Sequence, residues 1–314
     1  MTVERESNTN FVMQVAAPTV DQLRLKLPEV TNAVLLKQGG FKAVYRATIG
    51  GQVEALKLVH IPKTSEDEAG ELFRKECLGR VTREIQVLAK CASPLLVKLG
   101  SIKASEADFA GERFIVYSEE FLDGPDLRVL IKQAWKPQES ELKLLFACLL
   151  KAIQQLWTLP GRLIHRDIKP DNVVRLDKAD RPFVLLDLGI AFAVLETSLT
   201  LDPRHRLPPG TLPYLAPEML QPNFRDTIDY RSDLYAAALT VFECAVGHHP
   251  FARRPELEFT TLSRVLHESP PSLNAVRADL SKTFCQLVDS MLKKIPALRP
   301  ANLTMLIRQL EQTT

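Results

Sequence analysis

The sequence predicts an α+β fold of two lobes, a small β-rich one followed by a larger helical one. Short β-like runs dominate the first third of the 314 residues. After "DGPD" (123–126) the composition turns to helix-favouring, amphipathic segments. No internal repeat or low-complexity stretch interrupts this order, and the length suffices for one large domain or two modest lobes.

Residues 1–30 are polar, with prolines at 18 and 28, and read as an N-terminal extension. The first lobe spans 31–120. It opens with "AVLLKQGG", "FKAVYRATIG" and "QVEALKLVHI", and Gly50-Gly51 supplies a hairpin turn between the last two. The Gly39-Gly40 pair suits a loop folded over a phosphate chain, though such a pair between strands is more often an ordinary turn. Residues 65–90 favour a helix, with Leu78, Val81, Ile85 and Leu88 on one apolar stripe. "LLVKLGSI" (95–102) and "RFIVYSEEFL" (113–122) return to β character.

The second lobe spans 121–314. Within 139–158, Leu142, Leu145, Phe146, Leu149, Leu150, Ile153, Leu156 and Trp157 form a broad apolar face. "LYAAALTVFECAV" (234–246) is apolar all round and predicts a buried helix.

Composition excludes several classes. Apolar residues make up 46% and the net charge is +2, so neither nucleic acid nor an anionic membrane is expected as the main partner. Five cysteines, at 77, 91, 148, 244 and 285, are scattered without C-x-x-C spacing. They read as reduced thiols of a cytoplasmic protein. "MTVERESNTN" is no signal peptide, and the greasiest stretch (142–157) carries Lys143 and Lys151, so no membrane anchor is expected.

The chemistry concentrates in "HRDIKPDN" (165–172) and in "VLLDLG" (184–189), a buried-strand pattern that ends in aspartate and glycine. Here the chain resembles the eukaryotic-type Ser/Thr protein kinases, as a stand-alone soluble catalytic domain, from about residue 33 to 310. The resemblance implies the bilobal kinase fold, ATP and Mg²⁺ as cofactors, and serine or threonine hydroxyls of proteins as acceptors. Phosphoryl transfer needs positioning and charge neutralisation more than covalent chemistry. Asp167 would take or orient the hydroxyl proton, and Lys169 would screen the γ-phosphate. Asn172 and Asp187 offer the hard oxygens that suit Mg²⁺.

Further roles follow from the same resemblance. "EALK" (54–57) matches the third strand of the family, which makes Lys57 the phosphate lysine. Glu84 is its expected partner, preferred to Glu76 on helix register. Leu36, Gly39, Gly40, Val44, Ala55, Glu120, Leu122 and Val174 would line the ATP site. "GTLPYLAPE" (210–218) closes the activation segment, with Thr211 reaching Asp167 and Lys169. Asp233 would brace the catalytic loop, and Glu218 and Arg299 would form a buried ion pair. Thr197, Ser198 and Thr200 are candidate phosphosites whose phosphate would pair with Arg166, and trans-autophosphorylation would call for a transient homodimer.

Some positions depart from the family pattern. Anchoring Val44 on G-x-G-x-x-G-x-V places Lys37 and Lys42 on the first and third glycines. Lys42 would bring a cation near the β- and γ-phosphates. Leu188 replaces a phenylalanine and is expected to stack with Leu88, Leu99 and His165. Glu119 falls at the gatekeeper position, where it would pair with Lys57 or another cation, or hold a raised pKa. These departures keep a second reading open, a pseudokinase scaffold with a weakened nucleotide site.

Overall fold

The computed structural model describes residues 16–39, 42–61, 71, 72, 75, 78, 79, 82, 85, 86, 89–160, 162–187, 212–221, 228–253 and 255–312. Five antiparallel strands build the first lobe: β1 (Val30–Gln38), β2 (Lys42–Ile49), β3 (Gln52–Ile61), β4 (Ser105–Phe109) and β5 (Glu112–Glu120). Their order in the sheet is β1-β2-β3-β5-β4. Gly50 and Gly51 both take positive φ, 56° and 86°, which a two-residue hairpin turn of this twist requires.

Alternation sorts the side chains of the sheet. Ala43, Tyr45, Ala47 and Ile49 of β2 are buried on one face with Leu56, Leu58, Phe114 and Val116. On the other face Val44 lies opposite Lys57, and Ala55 opposite Glu119. That second face looks into the cleft.

Part of the N-terminal extension belongs to this lobe. Helix α1 (Val20–Lys26) is opened by a capping box between Thr19 and Gln22. It lays Leu23, which is fully buried, on the outer face of the sheet. The Tyr45 hydroxyl donates to the Pro18 carbonyl at 2.5 Å.

The stretch 95–102 is not a regular strand. It makes only isolated bridges, Leu96 with Leu185 and Leu99 with Glu119. The cause is a close approach at Gly100, where a Cβ would collide with Glu54 Oε2 and lie 2.5 Å from Ser118 Oγ. The Glu54 carboxylate accepts from the Ser101 N–H there, and the Ser118 hydroxyl accepts from that of Ile102, so side chains replace part of the ladder. Between β3 and β4, residues 71, 72, 75, 78, 79, 82, 85 and 86 are helical, and Ile85 is buried as the stripe predicts.

Helices make up most of the second lobe: α2 (Leu127–Lys132), α3 (Glu139–Thr158), α4 (Arg231–Val246), α5 (Glu258–His267), α6 (Leu273–Val276), α7 (Lys282–Met291) and α8 (Leu303–Glu311). Every residue of α4 from Ser232 to Ala245 is buried, which covers the run predicted to be a buried helix up to its last residue, the half-buried Val246. Helix α3 packs against α4 and α8 through Leu142, Leu145, Phe146, Leu149, Leu150, Ile153 and Leu156. Trp157 stays half-buried and meets the Tyr230 ring at a tilt, with ring centres 5.2 Å apart. One apolar cluster runs from Val59, Ile115 and Tyr117 of the first lobe into these helices. Cys148, Cys244 and Cys285 are buried free thiols and Cys91 is half-buried, while Cys77 lies outside the described residues. Among the described residues no helix is long and apolar enough to cross a membrane.

Candidate active site

The cleft collects charge from both lobes. After α3 the chain runs into the loop that carries Asp167, and the fully buried His165 anchors that loop from beneath. The backbone N–H groups of His165 and Arg166 both donate to the Asp233 carboxylate of α4, at 2.7 and 2.8 Å. The His165 ring contacts the Leu186 carbonyl through Nε2 at 2.8 Å. Arg166 and Asp187 both sit in the left-handed region, with φ of 67° and 54°. Such backbone costs about 1–3 kcal/mol per residue and is held by surrounding contacts, here those of Asp233 and His165.

Asp167, Lys169 and Asn172 converge. Lys169 Nζ lies 2.8 and 2.9 Å from the two Asp167 oxygens, and Asn172 Nδ2 donates to Asp167 Oδ2 at 2.7 Å. Burial raises the Asp167 pKa from its ordinary value, against the pull of Lys169. The Asn172 carbonyl accepts from the Leu186 N–H at 2.8 Å, which fixes Asp187 beside the loop.

Asp187 faces two ammonium groups. Lys57 of β3 contacts Oδ1 and Lys42 of β2 contacts Oδ2. Burial alone would push the Asp187 carboxyl up, but Lys42 and Lys57 hold it far below its ordinary value. Lys57 also pairs with Glu119 of β5, and both side chains are almost fully enclosed, 4% and 1% exposed. Burial works to lower the Lys57 pKa, yet Asp187 and Glu119 keep it raised. For Glu119 burial prevails over Lys57, and its pKa is raised. The other Glu119 oxygen, Oε1, is buried and has no hydrogen-bond partner among the described residues.

The remaining predicted positions divide. Val44 and Ala55 are half-buried on the cleft face, while Leu36 is 52% exposed at a bulge of β1. Leu122 and Val174 pack together with Val97, Leu176 and Val184 below the sheet. Glu120 turns away from the cleft, and its carboxylate grips Arg181 at 2.6 and 3.0 Å. The Glu120 backbone N–H donates to the Lys98 carbonyl at 2.9 Å. Gly39 is described, whereas Gly40, Glu76, Glu84, Leu88, Leu188, Thr197, Ser198, Thr200 and Thr211 lie outside the described residues. Glu218 and Arg299 form the expected pair, at 2.6 and 2.8 Å.

A family description for the protein kinase domain matches residues 31–311. The chain belongs to the protein kinase family. Among relatives of this kinase, the dual specificity mitogen-activated protein kinase kinase mek-1 of Caenorhabditis elegans is 35% identical, over 58% of this chain and 48% of that one. The serine/threonine-protein kinase pkn3 of Myxococcus xanthus is 28% identical over 85% of this chain and 47% of its own. The chain thus spans about half the length of these relatives. Among solved structures, the Mycobacterium tuberculosis PknI kinase domain, crystallised as a cysteine-to-alanine mutant, shares the fold. Its TM-score is 0.60 at 22% identity, covering 90% of this chain and 96% of that one.

Sequence reasoning missed one cluster of this kinase. Arg128 of α2 joins Asp171 at 3.1 Å, Glu243 of α4 and the Tyr214 hydroxyl, which itself donates to Glu243. The three partners lie 43, 115 and 86 residues away, so no local pattern announces the cluster.

Beside that cluster, the ring of His249 meets Tyr214 edge-on at 4.9 Å. Its Nδ1 accepts from the N–H groups of Phe251 and Ala252, which requires the neutral ring there. Burial, aided by nearby cations, pushes its pKa down to about 3. Between the ordinary histidine value of about 6.5 and that depressed value, the unfolded chain binds a proton that the native one refuses. The histidine contribution is complete above pH ~6.5, and falling pH erodes it by up to about 1.4 kcal/mol per unit. Denaturant melts from pH 7 to 4 should show a shallower pH slope for His249→Gln than for the native kinase.

Proposed function

We propose that this chain transfers the γ-phosphoryl group of ATP, with Mg²⁺, to serine and threonine hydroxyls of proteins. The observation that carries this reading is the joining of two clusters. One is Asp167 held by Lys169 and Asn172, and the other is Asp187 facing Lys57 across the lobes. A scaffold has no physical use for a placed base beside a set of hard-oxygen ligands.

The donor set fits the cation. Asn172 commits Nδ2 to Asp167, which leaves its amide oxygen for a ligand, and the Asp187 carboxylate adds the charged oxygens that Mg²⁺ prefers. Held by Asn172 and Asp187, Mg²⁺ would supply positive charge against the negative charge that develops during transfer. Lys57, held from behind by Glu119, offers its ammonium to the phosphate chain. Asp167 orients the acceptor hydroxyl and takes its proton as the hydroxyl oxygen bonds to the γ-phosphorus. The bond from that phosphorus to the bridging oxygen breaks, and ADP leaves with the electron pair. Lys169, in contact with Asp167, screens the transferring group.

The cytoplasm is the proposed location, in keeping with the free thiols. Autophosphorylation of Thr197, Ser198 or Thr200 in a transient homodimer belongs to the same reading, with Arg166 as the phosphate partner. One observation favours the scaffold alternative: ammonium groups contact both oxygens of Asp187. Intact-mass spectrometry after incubation with ATP and Mg²⁺, with dephosphorylated casein as a second acceptor, separates the two. Added phosphate on the chain or on casein, abolished by EDTA, is expected. Nucleotide binding without transfer to either acceptor would support the scaffold.

A further inference from the structure

The sequence sets lysine where a phosphate loop carries its third glycine, and the structure shows where that lysine goes. Lys42 opens β2, directly opposite Val59 of β3, so its side chain projects into the cleft. There its ammonium contacts Oδ2 of Asp187, while Lys57 contacts Oδ1. Both oxygens of the carboxylate expected to ligate the cation are therefore engaged by cations of the protein itself.

The two lysines are not equally held. Lys57 is 4% exposed, pairs with Glu119 as well, and lies 5.9 Å from the ring centre of Tyr117. Lys42 is 21% exposed, and its described ion pair is the one with Asp187. A divalent ion arriving at Asp187 repels both ammonium groups at short range. The partly exposed one can swing out, and the doubly tethered one cannot. A second lysine of the same hairpin, Lys37, reaches Asp171 at 3.5 Å but is 57% exposed and touches no predicted cation ligand.

We propose that Lys42 is a built-in competitor for the divalent cation. It occupies the outer oxygen of Asp187 until the cation displaces it, and its freed ammonium then positions the phosphate chain of the nucleotide. Cation and nucleotide binding are coupled through this exchange, because the same side chain leaves the one and meets the other. The idea rests on the reading of Asp187 as a cation ligand.

The test titrates the full chain with Mn²⁺, followed by electron paramagnetic resonance of the free ion, with and without a non-hydrolysable ATP analogue. Lys42→Met keeps the length of the side chain and removes the charge. It should bind Mn²⁺ alone at least about fivefold more tightly than the native chain. Lys42→Arg, which keeps the charge, should stay near the native affinity, and so should Lys37→Met. With the analogue present, the advantage of Lys42→Met should shrink, since the native lysine has moved to the phosphates. Unchanged or weaker Mn²⁺ binding by a folded Lys42→Met protein would overturn the proposal. Asp187→Asn separates the two levels. If it leaves native Mn²⁺ affinity intact, the cation site itself is misassigned and both readings fall. If it weakens binding while Lys42→Met fails to tighten it, the competitor role alone falls.

Discussion

Asp167→Asn should lower kcat for phosphate transfer to casein by about 10²- to 10⁴-fold, the range a positioned general base supplies. The substitution keeps the size of the side chain and one acceptor oxygen, so Asn172 and the loop retain a partner. What disappears is the capacity to accept a proton and the negative charge that holds Lys169. The apparent KM for ATP should stay within about threefold, because the role proposed for Asp167 is on the acceptor and not on the nucleotide. A steady-state titration of both substrates checks the split. A fall confined to KM would move Asp167 from proton handling to nucleotide binding.

Arg299→Met should cost the second lobe about 3–5 kcal/mol. The guanidinium is completely buried and all five of its N–H donors are engaged. Two go to Glu218 and three to the carbonyls of Arg231, Lys293 and Lys294. Its loss leaves three carbonyls without that donor and a largely buried carboxylate with the Ser232 hydroxyl as its described partner, and the desolvation cost of those groups makes the effect large. Both tryptophans, Trp135 and Trp157, lie in the second lobe, so their fluorescence during urea unfolding reports on that lobe. Removing the stranded charge as well, in Glu218→Leu with Arg299→Met, should destabilise less than the sum of the two single changes. Strict additivity would show that the pair does not interact.

The two-lobe division was legible because it rests on local periodicity. The all-apolar run of α4 and the stripe along α3 gave their burial directly. The loop residues Asp167, Lys169 and Asn172 were legible because they share eight consecutive positions. Three features were not. The stretch 95–102 has the composition of a strand, but the crowding at Gly100 is set by Glu54 and Ser118 from other strands. The Glu120 side chain pairs with Arg181, 61 residues away, a partner that no local pattern announces. Arg128 carried no signal, since its role exists only where three distant segments meet. The pairing of Glu119 with Lys57 lay between these cases. Sequence offered it as one of several outcomes, and cross-strand register decided it.

The docking of α1 has a consequence for how this gene can be cut and joined. The recognisable family signature begins at residue 31, but Leu23 fills a completely enclosed position and Tyr45 leans on Pro18. The heritable module is therefore larger than its signature. A recombination joint placed at 31 would carry over every catalytic motif and still leave a leucine-sized hole in the roof of the smaller lobe. A joint placed ahead of Pro18 would carry both Leu23 and the Pro18 contact with the lobe.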